Sequence, residues 1–116
     1  MLDGRNCDKK KLTDMRFVKK FLKELPPLIG MHVISKPLVM RYKDKWASTP
    51  GITGLIVLAE SHVSVHTFPD NNYIFVDLFS CNEFDAEKAR KHIIKQFKIK
   101  DVIYYKVIKR GKGFVK

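Results

Sequence analysis

The stretch SHVSVHTFPDNNYIFVDLFSC, residues 61–81, leaves few folds open. Val63 and Val65 alternate with His62, Ser64 and His66. After PDNN the pattern resumes, with Ile74, Val76 and Leu78 on one face and Phe75, Asp77, Phe79 and Cys81 on the other. Side chains on a strand alternate with a period of two, so each half reads as a half-buried strand and the joint as a turn. The pair must therefore be antiparallel, with one apolar face. GITGLIVLAE, residues 51–60, runs into it almost without a break and predicts a further strand.

The flanks supply the cover this face needs. Between Leu12 and Leu28, Phe17, Phe21, Leu22 and Leu25 recur at helical spacing, with Thr13 expected to cap the start and Gly30 just past the end. Pro26 and Pro27 are expected to end the regular part early. A second amphipathic helix is predicted from Asp85 to about Lys98, with Ala89, Ile93 and Phe97 inward. MHVISKPLVMRY contains Pro37 and suits an edge strand, residues 42–51 read as a loop, and DVIYYKVIKR as a last strand. The expected fold class is α+β: a two-layer α/β sandwich, an antiparallel sheet with two helices on one face. The other face carries His62, Ser64, His66, Asp77, Phe79 and Cys81. It is too mixed for core and too aromatic for ordinary surface, so it is expected to pack in a homodimer.

A chain of 116 residues, 45% hydrophobic, fits one domain over residues 1–116. No apolar run reaches membrane-spanning length and the N-terminus has no secretory signal, so a cytoplasmic protein is expected. Cys7 and Cys81 stand far apart with no CxxC pair, which signals neither a metal site nor a disulfide framework. The net charge of +11 makes nucleic acid a partner to consider. The lysines scatter along solvated faces and tails, however, without interleaved aromatics. Nucleic acid is therefore not the expected partner.

Glu60-Ser61-His62, His66-Thr67 followed by Phe68-Pro69-Asp70, Thr53 between Gly51 and Gly54, and Cys81 occur together at set intervals. In this combination the segment Gly51–Cys81 resembles the core of the prokaryotic-type pyruvoyl-dependent S-adenosylmethionine decarboxylases. The resemblance implies that Ser61 attacks the carbonyl of Glu60, turning the peptide bond into an ester. Elimination then cuts the chain into residues 1–60 and 61–116 and leaves a pyruvoyl cofactor derived from Ser61. By the same resemblance His66 serves the processing step with Thr53 in support. The pyruvoyl ketone forms a Schiff base with the substrate amine and takes up the electrons left by carbon dioxide. Cys81 returns the proton; a thiol is mostly protonated at neutral pH, as a donor must be. The product is the aminopropyl donor for spermidine synthesis.

The family's Trp-Pro-Glu is Phe68-Pro69-Asp70 here, and its serine between glycines is Thr53. Asp70, one methylene shorter, stands where the family's acid holds the ribose hydroxyls. Phe68, Glu60 and the loop residue Trp46, a stacking partner for adenine, complete the expected substrate contacts. The N-terminal MLDGRNC is shorter than the family's first strand. Strict alternation sets Ser61 on the side of Val63, opposite His66, so a bend or bulge is expected at Glu60-Ser61. The resemblance extends to decarboxylases of arginine or another basic amino acid. A non-catalytic paralogue and a basic nucleic-acid-binding domain are more distant alternatives.

Overall fold

The computed structural model describes residues 1–114; the last two residues of the basic C-terminal stretch, Val115 and Lys116, lie outside them. Strands β1 (Leu2–Arg5), β2 (Leu38–Tyr42), β3 (Gly51–Val57), β4 (Ser61–Phe68), β5 (Tyr73–Ser80) and β6 (Asp101–Tyr105) form one sheet. Its order is β2-β3-β4-β5-β1-β6 and every pairing is antiparallel. The helices are α1 (Lys9–Leu12), α2 (Met15–Leu28) and α3 (Ala86–Phe97). The α+β architecture expected from the sequence is thus present. No helix among the described residues is long and apolar enough to cross a membrane.

The core lies between the sheet and the helices. Val18, Phe21, Leu22 and Leu25 of α2 and Ala89, Ile93 and Phe97 of α3 are buried with Ile52, Ile56, Val63, Val65, Ile74 and Val76 of the sheet. Phe21 and Phe97 meet edge to face, 4.9 Å between centroids, and join the two helices. His92 of α3 stacks on Phe21 at 6.0 Å, and burial holds its imidazole below the usual histidine range. Burial pushes the Cys7 thiol up to about 11, so this cysteine behaves as a core hydrophobe.

Four details depart from the sequence expectations. Leu2–Arg5 forms a full strand between β5 and β6, although so short a polar segment shows no alternation of its own. Gly4 makes this possible, since a Cβ there would sit 2.8 Å from Ile99 Cγ2. Asp14, not Thr13, caps α2, accepting from the Phe17 N–H at 3.1 Å, and Thr13 closes the separate turn α1 that Asp8 caps. The helix continues through Pro26 and Pro27 to Leu28. Their carbonyls accept from Ile29, Gly30 and Met31, which closes the last turn despite two missing N–H groups. Finally, β6 ends at Tyr105, and residues 106–110 leave the sheet.

Thr67 is the polar exception in the core, 2% exposed. Its hydroxyl accepts from the Ile52 N–H at 2.9 Å and donates to the Leu12 carbonyl at 2.8 Å, tying β4 to β3 and α1. Thr67→Val keeps the shape and orphans both groups. It should lower the unfolding free energy by about 2 kcal/mol in urea denaturation.

Candidate active site

The Glu60-Ser61 joint is the tip of the β3–β4 hairpin. The Leu58 N–H donates to the Ser61 carbonyl at 2.9 Å and leaves a loop of two residues, Ala59 and Glu60. Neither has a positive φ, so this is not the primed turn that two-residue hairpins favour. The chain thus bends before Ser61, in a tight turn, while Ser61 itself pairs with Ser80 in unbroken register; no bulge shifts it from the Val63 side of the strand toward His66. Ser61 Oγ donates to the oxygen of the Glu60 carbonyl that immediately precedes it. The same oxygen accepts from the Cys81 N–H at 3.3 Å, because Ser61 pairs with Ser80 and the chain leaves β5 one residue later. Ser61, Glu60 and Cys81 therefore gather at one end of the central strands.

The Glu60 side chain is also held. Oε1 accepts from the His32 N–H at 3.0 Å, and Oε2 lies 3.0 Å from His32 Nδ1. These two bonds hold the carboxyl below the usual carboxylate range. His32 is a residue for which sequence reasoning assigned no role. Nothing in its neighbours marks it, because its contact spans 28 residues and depends on where α2 ends. Glu60, expected to contact substrate, spends both oxygens inside the protein.

Thr53, His66, Phe68 and Asp70 gather at the other end of the strands. Thr53 Oγ1 and His66 Nδ1 are 3.3 Å apart across β3 and β4, on the outer face. Gly51 and Gly54 bracket Thr53 for steric reasons. A Cβ at Gly51 would lie 2.2 Å from the Thr67 carbonyl oxygen, and one at Gly54 3.0 Å from Leu22 Cδ1. Phe68 packs edge to face on Phe75 at 5.6 Å. These residues, with Trp46 and Tyr42, line a cleft of about 500 Å³, a size that admits a small molecule. Trp46 is 82% exposed, its ring free to stack on one side and covered by Lys45 on the other.

His66 lies on the outer face and Cys81, exposed, just past the end of β5, and the two do not meet. His66 pairs with Phe75, six residues before Cys81, and stands five residues from Ser61 on the same strand. At about 3.3 Å per residue the gap from His66 to Ser61 is about 16 Å. The motif residues thus fall into two separate groups, one at each end of the strand. His62 and Phe79 lie between them, their rings tilted with centroids 5.7 Å apart.

An antiparallel two-layer α+β fold whose outer sheet face carries a cleft and a row of polar and aromatic side chains fits a small-molecule enzyme, and the comparisons narrow the class. The family model described as S-adenosylmethionine decarboxylase matches residues 1–111, so the chain belongs to that family. It is 36% identical over 110 residues to the S-adenosylmethionine decarboxylase proenzyme of Methanococcus aeolicus, covering 91% of this chain and 86% of that one. The proenzyme of Pyrococcus abyssi is 33% identical over 112 residues, covering 96% of this chain and 76% of its own length. The crystal structure of the adenosylmethionine decarboxylase from Aquifex aeolicus superposes with a TM-score of 0.68 at 26% identity, covering 87% of this chain and 79% of that one. Family and fold favour a decarboxylase over a nucleic-acid-binding domain.

Asp70 lines the cleft, an exposed residue whose carboxylate is bonded to the loop at Ser48 and Thr49. Its oxygens accept from the Ser48 N–H and hydroxyl, both at 2.7 Å, and from the Thr49 N–H at 3.1 Å. The Ser48 bonds chiefly hold its carboxyl below the ordinary value of 3.8. Because the folded value is the lower one, these contacts hold above the free-chain value and are released as the pH falls through the lowered one. Asp70→Ala should free the loop carrying Trp46. Faster amide exchange and proteolysis at residues 44–50, with little change elsewhere, is the expected outcome.

Proposed function

We propose that this chain is a self-processing carboxy-lyase that decarboxylates S-adenosylmethionine with a pyruvoyl group made from Ser61. We propose further that it acts as a dimer whose sites each draw on both copies. The observation that carries the reading is the Ser61 hydroxyl set against the Glu60 carbonyl, with the Cys81 N–H on the same oxygen. A serine hydroxyl needs a positioned target and a donor for the developing oxyanion, and the hairpin tip supplies both.

Processing then follows from residues of this chain. Ser61 Oγ adds to the Glu60 carbonyl carbon, and the amide C–N bond breaks to leave an ester. Loss of the Ser61 Cα proton expels the Glu60 carboxylate by breaking the Cβ–O bond. Hydrolysis of the remaining enamine releases ammonia and leaves the pyruvoyl terminus on residues 61–116. A base is needed for the proton steps, and His66 is the matching group, its Nδ1 oriented by Thr53. Its distance from Ser61 supports the dimer: the histidine must come from the second copy. The unpartnered outer face, with Leu55, Val57, Phe68 and Phe75 exposed, offers the surface.

The pyruvoyl group supplies an electrophilic carbonyl that takes up the electron pair released with carbon dioxide. Around it, the proton donor proposed for the substrate carbon is Cys81, and the meeting of its N–H with the Glu60 carbonyl at the hairpin tip supports that reading. The cleft of Trp46 and Phe68 offers aromatic faces for an adenine ring. Asp70 acts on that cleft by fixing the loop, not by reaching the ribose.

Intact mass under denaturing conditions tests the processing. Wild type should give two fragments meeting at Glu60 and Ser61, and Ser61→Ala a single chain. An intact wild type after long incubation would sink the proposal. Co-expression tests the shared site. His66→Ala chains should stay whole alone and be cut when mixed with Ser61→Ala chains, which lend the missing histidine. On the order of a quarter of wild-type sites should return, half the dimers being mixed with one intact site each.

A further inference from the structure

We infer that His32 is a positioning residue for chain cleavage, clamping the Glu60 carboxylate so that the Glu60 carbonyl stays between Ser61 Oγ and the Cys81 N–H. The inference rests on the self-processing reading above and names a residue to which neither the family match nor the motif gives a part.

A carboxylate at the tip of a two-residue hairpin is ordinarily solvated and free to swing. The Glu60 side chain is 10% exposed, and one residue takes both its oxygens. The His32 carbonyl also accepts from the Ala59 N–H at 2.8 Å, so the same residue grips both residues of the loop. None of these three bonds is needed to close the hairpin, which the Leu58-to-Ser61 bond does by itself. What they add is a fixed rotation of the Glu60 peptide unit, and with it the direction of its carbonyl. Formation of near-attack geometry is governed by just such a rotation.

His32 is itself well anchored, although its ring is 78% exposed. Gly30, at φ +81, turns the chain out of α2, and the buried Met31 fixes the next residue, its N–H bonded to the Pro26 carbonyl at 2.9 Å. Val33 bridges to Leu58, and the Ile34 N–H donates to the Val57 carbonyl at 3.1 Å. The clamp thus transmits the position of a core helix to the scissile bond. It also solves an electrostatic problem. Negative charge developing on the Glu60 carbonyl oxygen is repelled by the carboxylate of the same residue, and two His32 donors hold that carboxylate aside and disperse its charge. The depressed carboxyl of Glu60 accords with this, being the charged form that the donors favour.

The test is the rate of fragment appearance by intact mass after refolding denatured, uncut chain. His32→Ala should slow cleavage about ten- to hundredfold, the worth of hydrogen bonds to a charged group. Two controls separate positioning from folding. In a Ser61→Ala background, His32→Ala should leave the melting temperature nearly unchanged. In a Glu60→Ala background it should slow cleavage no further, because the partner is gone. Wild-type cleavage rates in His32→Ala, equal slowing with and without Glu60, or slowing matched by lost stability would each overturn the assignment. A wild type that never cleaves would overturn the self-processing reading instead.

Discussion

Everything functional in this molecule hangs on the alternation of β4. The strand is paired along its length, to β5 over Ser61–Phe68 and to β3 over His62–His66, so it cannot slide without breaking two ladders. Val63, Val65 and Thr67 are thereby committed to the core, and His62, Ser64, His66 and Phe68 to the outer face. A slip of one residue would bury the histidines and expose the valines. The strand also works as a ruler. It fixes the Ser61 end and the His66 end about 16 Å apart and in a constant direction, which a loop scaffold would not.

Charge is distributed against the overall balance. The chain is +11, yet the substrate proposed for it carries a cationic sulfonium and an amine. Glu60 and Asp70 have their oxygens engaged within the protein, and those bonds favour the charged form of each; the donors to Asp70 are neutral, so its negative charge is left to act on the cleft. Asp3 and Asp77 lie close together on the neighbouring strands β1 and β5, where Asp3 pairs with Phe75. Burial, then the neighbouring Asp77, raises the Asp3 carboxyl, the mark of two acids crowded into a basic surface. The raised carboxyl leaves Asp3 more weakly ionised than an ordinary aspartate.

Much of this was legible in the sequence because it is local. The alternation of β4 and β5 and the Asp85 cap of α3 are patterns a few residues long, and the structure has them. The motif residues Ser61, His66 and Cys81 were also visible, but not their grouping. Face is a matter of parity, which sequence carries; position along a strand relative to a second molecule is not. Strand β1 escaped notice because its stability comes from the neighbours on either side rather than from its own four residues. His32 escaped because a contact across 28 residues leaves no periodic trace.

The strand order would have a further consequence for a chain cut, as proposed, between Glu60 and Ser61. Residues 1–60 carry β1, β2 and β3, while residues 61–116 carry β4, β5 and β6. In the sheet β3 lies on β4, but β1 is inserted between β5 and β6. The two fragments are dovetailed: the long one cannot withdraw without unzipping three ladders at once. A broken peptide bond thus leaves the folded state nearly untouched and transforms the unfolded one, which becomes two separate molecules. Folding would turn from first order to second order in chains, and its yield would fall on dilution. Such a protein gets one easy chance to fold, before it matures.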